Sequence, residues 1–214
     1  KDYDKELLLI KDEVIDFIKN TQPQKWNKLN DSYGIDTEKK VLQRISSEIS
    51  KRGIIDVLRN QVADRGVYLD LCYFQPKSDL NPDLQKLYSF NKFTLVRQLH
   101  YSTEYENSID IVLFLNGLPI LTMELKNKAT GQNYKHAEYQ YKNDRDPNEP
   151  FLRFKRCLVH FCVDKHNVSM TTRLSGRKTF FLPYNRDIEN PPVEKGYSTK
   201  YLWEEILHPD SILD

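Results

Sequence analysis

The chain has 214 residues, with 32 Lys and Arg against 31 Asp and Glu and a formal net charge of +1. That length suits one large domain, or one domain with appendages, and is enough to bury a sizeable core. The charge balance excludes a global basic field, so contact with nucleic acid must rest on a local patch. No run of about 18 apolar residues is present, which excludes a membrane-spanning helix, and the first residues carry no secretory pattern.

In chain order, residues 2–20 place Leu7, Leu8, Ile10, Val14, Ile15 and Ile18 at a helical period. Pro23 and the region of Trp26 end that helix. A second helix is predicted over 37–51 from Val41, Leu42, Ile45 and Ile49, with Gly53 as its stop, and a short helical piece over 54–60. Residues 67–74 alternate and are rich in β-formers, which predicts a strand. The Asn81-Pro82-Asp83 region reads as a loop or short turn, and 93–101 as a strand leading into a hairpin. Further on, 131–144 is polar with Tyr134, Ala137 and Tyr141 on one stripe, an amphipathic helix ended by Pro147 and Pro150. Strands follow at 157–163 and 167–172, with a short one near 179–182. Residues 185–199 have the Pro, Asn and charge content of a linker, and 201–207 read as a last amphipathic helix.

The three cysteines, Cys72, Cys157 and Cys162, all lie in apolar strand-like runs. Core thiols of a reducing cytoplasm explain them best. Cys157, His160, Cys162 and His166 do not match the spacing of a common structural zinc site, and the alternation through this stretch favours a plain strand. Candidate basic patches are Lys126, Lys128, Lys135 and Lys142, then Arg153 to Arg156, then Arg173 to Lys178. Each alone is more often solvated surface than a phosphate contact.

The most informative stretch runs from Ser108 to Asn127. Two apolar runs meet at Asn116-Gly117, a strong hairpin signal. Asp110 interrupts the first run, Glu124 and Lys126 the second. A charge buried in a strand is costly unless paired or bound to a metal. Two acids from neighbouring strands, with a lysine beside the second, suit a divalent cation and one activated water, hence phosphodiester hydrolysis. Parity sets a condition. A two-residue loop pairs Leu115 with Leu118 and puts Asp110 opposite Met123, turning Glu124 to the other face. A shared site therefore requires an odd connection or a bulge. The D…ExK pattern is weak alone, and a structural ion pair remains an alternative.

The surrounding words are more specific. Residues 91–102 (NKFTLVRQLHYS), 110–119 (DIVLFLNGLP) and 124–127 (ELKN) resemble the N-terminal nuclease domain of type I restriction enzyme R (HsdR) subunits, over roughly residues 53–185. The family belongs to the PD-(D/E)xK nuclease superfamily. The resemblance implies an α/β fold, with a central mixed β-sheet flanked by helices. It implies Mg²⁺, with Mn²⁺ able to substitute, held by Asp110, Glu124 and the Leu125 backbone carbonyl. It also implies that Lys126 orients the attacking water and stabilises transition-state charge. Gln140 matches the Gln of a family Gln-x-x-x-Tyr word, but Asp144 stands where the family often has Tyr. Arg97 and Gln98 are candidates for DNA contact or site support, with a structural Arg–acid pair as the alternative for Arg97, and His100 and Tyr101 are support residues. Glu6, Glu13 and Glu38 are possible early-helix acids in some members; as ordinary helix-surface acids, they are not carried over.

The division expected is 1–60 as a helical part of the nuclease domain, 61–185 as its core, and 186–214 as linker and helix leading to a motor domain outside this chain. No G-x-x-x-x-G-K-[ST] loop is present, so ATP belongs to that downstream motor. The partners implied are double-stranded DNA and the methylation and specificity subunits of a bacterial or archaeal, cytoplasmic restriction complex, with no membrane. The function expected is Mg²⁺-dependent endonucleolytic cleavage of double-stranded DNA. The alternative is a nuclease-fold binding or docking module without cleavage of its own.

Overall fold

The structure is a computed structural model and describes residues 3–78, 80–127 and 131–214. It divides into two compact units. One holds the chain up to Thr94 with Phe114–Pro119 and Leu213–Asp214; the other holds Leu95–Leu113 and Ile120–Ile212.

The first unit is mainly helical. Strands β1 (Tyr3–Asp4) and β2 (Leu9–Ile10) pair antiparallel ahead of helix α1 (Lys11–Thr21). The helix predicted from residue 2 thus begins at Lys11, and Asp2 lies outside the described residues. The Asp4 carboxylate accepts the N–H groups of Glu6 and Leu7, which fixes a turn where the apolar spacing alone suggested helix. Helix α2 (Pro23–Tyr33) was not foreseen: Pro23 opens it, as proline does in a first turn, rather than only closing α1. Helices α3 (Thr37–Arg52) and α4 (Ile54–Arg59) follow, α3 burying Val41, Leu42, Ile45 and Ile49 as its period predicts. Strand β4 (Val67–Leu69) is shorter than the predicted 67–74 and pairs with β3 (Val62–Asp64) in a two-stranded sheet of its own. Residues 81–83 begin helix α5 (Pro82–Ser89) instead of forming a loop, because the Asn81 side chain caps the N–H groups of Asp83 and Leu84.

The other unit carries most of a six-stranded sheet of order β10-β9-β8-β7-β6-β5. Its strands are β5 (Phe93–His100), β6 (Ser108–Leu115), β7 (Leu118–Leu125), β8 (Val159–Val163), β9 (Val168–Thr171) and β10 (Leu182–Pro183). The last is a two-residue strand at the end of the stretch predicted over 179–182. β7 and β8 run parallel, while β8–β9 and β9–β10 are antiparallel, so the sheet is mixed. Helix α6 (Tyr134–Asn143) makes the crossover between β7 and β8. The predicted terminal helix is a π-helical turn (Leu202–Ile206) followed by α7 (Pro209–Ile212).

The β6–β7 connection has two residues, Asn116 at φ 50° and Gly117 at φ 81°, both left-handed. Gly117 is required twice over: a Cβ there would lie 2.4 Å from the Ile10 carbonyl oxygen. Such a turn alone would set Leu113 opposite Ile120. Instead Ile111 and Leu113 pack with Leu121, Met123, Phe161 and Val163. The faces agree only if one extra residue enters the ladder between the turn and the charged end, so the parity condition is met by a bulge and not by an odd loop. Pro119, which has no N–H to offer a ladder, sits in that stretch.

Candidate active site

Leu121 and Met123, on the odd face of β7, pack in the apolar cluster, whereas Thr122 and Glu124, on the even face, meet Tyr141 of α6 and Arg145 just beyond it. Thr122, fully buried, bonds the Tyr141 hydroxyl at 2.6 Å and His160 Nδ1 at 2.8 Å. Burial pushes the His160 pKa down to about 4, so the ring is neutral. Two residues further along β7, Glu124 is 0% exposed. Its Oε1 accepts from Arg145 Nε at 3.2 Å and Nη2 at 2.9 Å, while its buried Oε2 has no hydrogen-bond partner. Burial raises the Glu124 pKa, the Arg145 charge pulls it down, and the adjacent Asp110 carboxyl raises it again, to a net value of about 7.

Asp110 reaches this face from β6. Its Oδ2 accepts the Leu125 N–H at 2.8 Å and its Oδ1 accepts from Gln98 Nε2 at 2.8 Å. Gln98 holds a left-handed φ of 51° inside β5, which disturbs the ordinary alternation of the strand. Lys126, half-buried, has its N–H on the Val163 carbonyl and its Nζ on Gln140 Oε1 at 2.6 Å. The structure therefore brings together Gln98, Asp110, the Leu125 N–H and Glu124, and separately joins Lys126 to Gln140; Lys126 also lines the apolar cavity on the other side of β7. Arg97 is exposed on the edge strand β5, and among the described residues its side chain has no hydrogen bond or ion pair; the structural ion pair weighed for it is therefore not formed there.

The supporting residues divide. Tyr101 is buried and stacks on Phe151 with ring centroids 5.5 Å apart, whereas His100 is exposed and meets the Glu106 carbonyl oxygen. Asp144 is the C-cap of α6, its N–H bonded to the Gln140 carbonyl. The tyrosine that does reach the sheet is Tyr141. Glu13 bonds Thr94 and Lys92, and Glu38 pairs with Lys19, so both are engaged elsewhere; Glu6 is exposed. Of the basic candidates, Lys135 and Lys142 lie against Glu138, and Arg156 is buried. Arg173 covers the exposed Phe154 ring at 5.1 Å, and Lys128 lies outside the described residues. Arg177 lines a hollow of about 430 Å³ together with Arg145 and Lys142.

Arg145 was missed. It follows α6 in the polar stretch Asn143-Asp-Arg-Asp-Pro147, where no periodicity marks one residue over another. An apolar cavity of about 650 Å³ lies on the odd face, beside Ile111, Leu113, Met123 and Trp203, and the two acids point away from it.

Two carboxylates with an unpartnered buried oxygen form an all-oxygen donor set. Among the described residues no group of three or more His, Cys, Asp or Glu is placed to hold a metal ion. A hard ion that keeps several waters and needs only one or two carboxylates, as Mg²⁺ does, fits this set.

A mixed sheet flanked by helices, with these residues at the end of its central hairpin, is the architecture of a restriction-endonuclease-like domain. The comparison with known families agrees: the family described as Type I restriction enzyme R protein N terminus matches residues 5–179, and the chain belongs to it. Acireductone dioxygenase 2 of Physcomitrium patens is 32% identical over 81 residues, 33% of this chain and 42% of that protein. The chain thus matches less than half of that relative's length, and no activity is carried over from it.

Proposed function

We propose that this chain performs Mg²⁺-dependent endonucleolytic cleavage of double-stranded DNA, as the nuclease part of the restriction subunit of a type I restriction–modification complex. The observation that carries the reading is Glu124: fully buried, one oxygen unpartnered, and set beside a second carboxylate. Asp110, Glu124 and the Leu125 carbonyl would hold the ion, with Mn²⁺ as a substitute. When bound, the ion supplies Lewis-acid polarisation of the phosphate and a more acidic water. Lys126, aimed by Gln140, orients the attacking water and stabilises the negative charge that develops on the scissile phosphate. Arg97 and Arg177 supply sequence-independent phosphate contacts. ATP turnover belongs to a motor outside this chain, and the methylation and specificity subunits are reached through the longer subunit.

A calorimetric Mn²⁺ titration followed by a plasmid-nicking assay tests the proposal. One Mn²⁺ site lost in Asp110→Asn, together with nicking lost in the same variant, is the expected result. Metal binding without nicking, in the chain and in the reconstituted complex alike, would leave a docking module instead. No Mn²⁺ binding at all would return Asp110 and Glu124 to a structural role.

A further inference from the structure

The Arg145 guanidinium is buried, its side chain 6% exposed, against a Glu124 side chain at 0%. Nε and Nη2 both donate to Oε1 of Glu124, and Nη2 also donates to the Ser108 carbonyl at 2.6 Å. Ser108 opens β6, two residues before Asp110. Its hydroxyl donates to Gln98 Oε1 at 3.0 Å, and Gln98 Nε2 donates to Asp110 Oδ1. Asp110 Oδ2 closes the circuit on the N–H of Leu125, next in sequence to Glu124. A closed ring of hydrogen bonds thus ties together the three strands that carry the acids and Gln98.

Within the ring, Arg145 holds Glu124 by one oxygen, and the Asp110 carboxyl lies beside it. We propose that Arg145 is a positioning residue that pins Oε1 of Glu124 and the start of β6, so that Oε2 and Asp110 are set for a divalent cation before it arrives. The inference rests on the metal-dependent reading of the site. A planar guanidinium spans the Glu124 carboxylate and the Ser108 carbonyl at once; an ammonium, a compact point charge, does not reproduce that fork. Charge and geometry here predict opposite signs. A cation beside the site repels a divalent ion, so if Arg145 were only a counter-charge, its removal would tighten metal binding. If it positions the ligand, removal weakens binding, as loss of an outer-shell partner typically does by about 10- to 100-fold.

The test is a calorimetric Mn²⁺ titration of the full chain, with thermal melts read alongside, on wild type, Arg145→Ala, Arg145→Lys and Asp110→Asn. The expected result is Mn²⁺ affinity weakened about tenfold or more in Arg145→Ala, incomplete recovery in Arg145→Lys, and a smaller Mn²⁺-induced rise in melting temperature in both. Where Arg145→Ala does not fold, Arg145→Gln, which keeps a neutral donor near the Nε position but falls short of the Ser108 carbonyl, is expected to show the same weakening. Unchanged or tighter binding in a folded Arg145→Ala or Arg145→Gln overturns the proposal, as does full recovery by lysine. Wild-type binding that is lost in Asp110→Asn but kept in the Arg145 variants overturns the role of Arg145 alone. Absence of wild-type binding overturns the metal reading and this inference with it.

Discussion

Leu121 and Met123, on the odd side of β7, pack with Phe161, Val163, Tyr201 and Leu202. Thr122 and Glu124, on the even side of the same strand, meet Tyr141, His160 and Arg145. Both faces are buried, but they are stable for different reasons. The odd face gains from the removal of apolar surface from water, which is non-directional. The even face breaks even only if each polar atom finds a partner. Thr122, Tyr141 and His160 satisfy one another, whereas Oε2 of Glu124 stays unpartnered. On this face the Glu124 oxygen is the polar atom left without a hydrogen bond, and it lies beside a second carboxylate.

The largest expected effect breaks the even face at its unpartnered end. Asp110→Ala, Glu124→Ala and Lys126→Ala are each expected to lower the nicking rate by on the order of 10²–10³ or more, the cost typical of one well-placed electrostatic contact. The Asp110 variant removes the carboxylate that raises the Glu124 pKa but also leaves the Leu125 N–H and the Gln98 amide without their acceptor. The two effects offset, so its melting temperature should stay near that of wild type. In the reconstituted complex, Lys126→Ala should leave ATP turnover intact. Normal cleavage by Lys126→Ala would refute its assigned role.

Titration sharpens the comparison further, since two groups on the even face act in opposite directions. Glu124 is raised from 4.5 to about 7. Between those values the folded chain holds a proton that the unfolded chain has lost, so its contribution to stability falls as pH rises, by up to about 3 kcal/mol in total. His160 is lowered from 6.5 to about 4. Across that window the unfolded chain holds the extra proton, so its contribution rises with pH. Urea melts from pH 4.5 to 7 without metal should show Glu124→Gln steepening the rise and His160→Asn uncovering the fall. Identical slopes in wild type and Glu124→Gln would mean that Glu124 is not raised.

The satisfied part of the face offers a smaller test. Thr122→Val keeps the shape but removes the hydroxyl that serves both Tyr141 and His160. Leaving such buried groups unpaired costs about 1–3 kcal/mol. A chemical-denaturation midpoint equal to that of wild type would show that the two rings find other partners.

How much of this was legible in the sequence follows the same division. Helix α3 and the β6–β7 hairpin were readable because their signals are periodic apolar positions and an Asn-Gly turn. Helices α2 and α5 were not: α2 buries only Leu29 among its residues, and α5 buries none, so neither writes an apolar stripe. Their prolines marked starts that read equally well as stops. The need for an odd connection or a bulge could be argued from parity, but not which of the two, because that depends on how Ile111 and Leu113 meet a core built from distant strands. Asp110, Glu124 and Lys126 stood out as charges in apolar runs. Arg145 lay in a stretch where charge is ordinary, and only the fold brings it to Glu124.

The smallest expected effect concerns Arg97, on the edge strand next to Gln98. Its side chain is exposed and, among the described residues, unpaired, so Arg97→Ala is expected to change stability by less than about 0.5 kcal/mol. A phosphate contact has a different signature. Each neutralised phosphate releases condensed counterions, so losing one contact lowers the slope of log affinity against log salt by about one. Duplex binding should be followed by fluorescence anisotropy at several salt concentrations, in the Asp110→Asn background so that no DNA is cut. A slope reduced by about one, with unchanged melting, is the result expected of a residue that touches DNA and nothing in the fold. An unchanged slope would remove Arg97 from the DNA-contacting surface and leave the even-face ring as the part of this edge that matters.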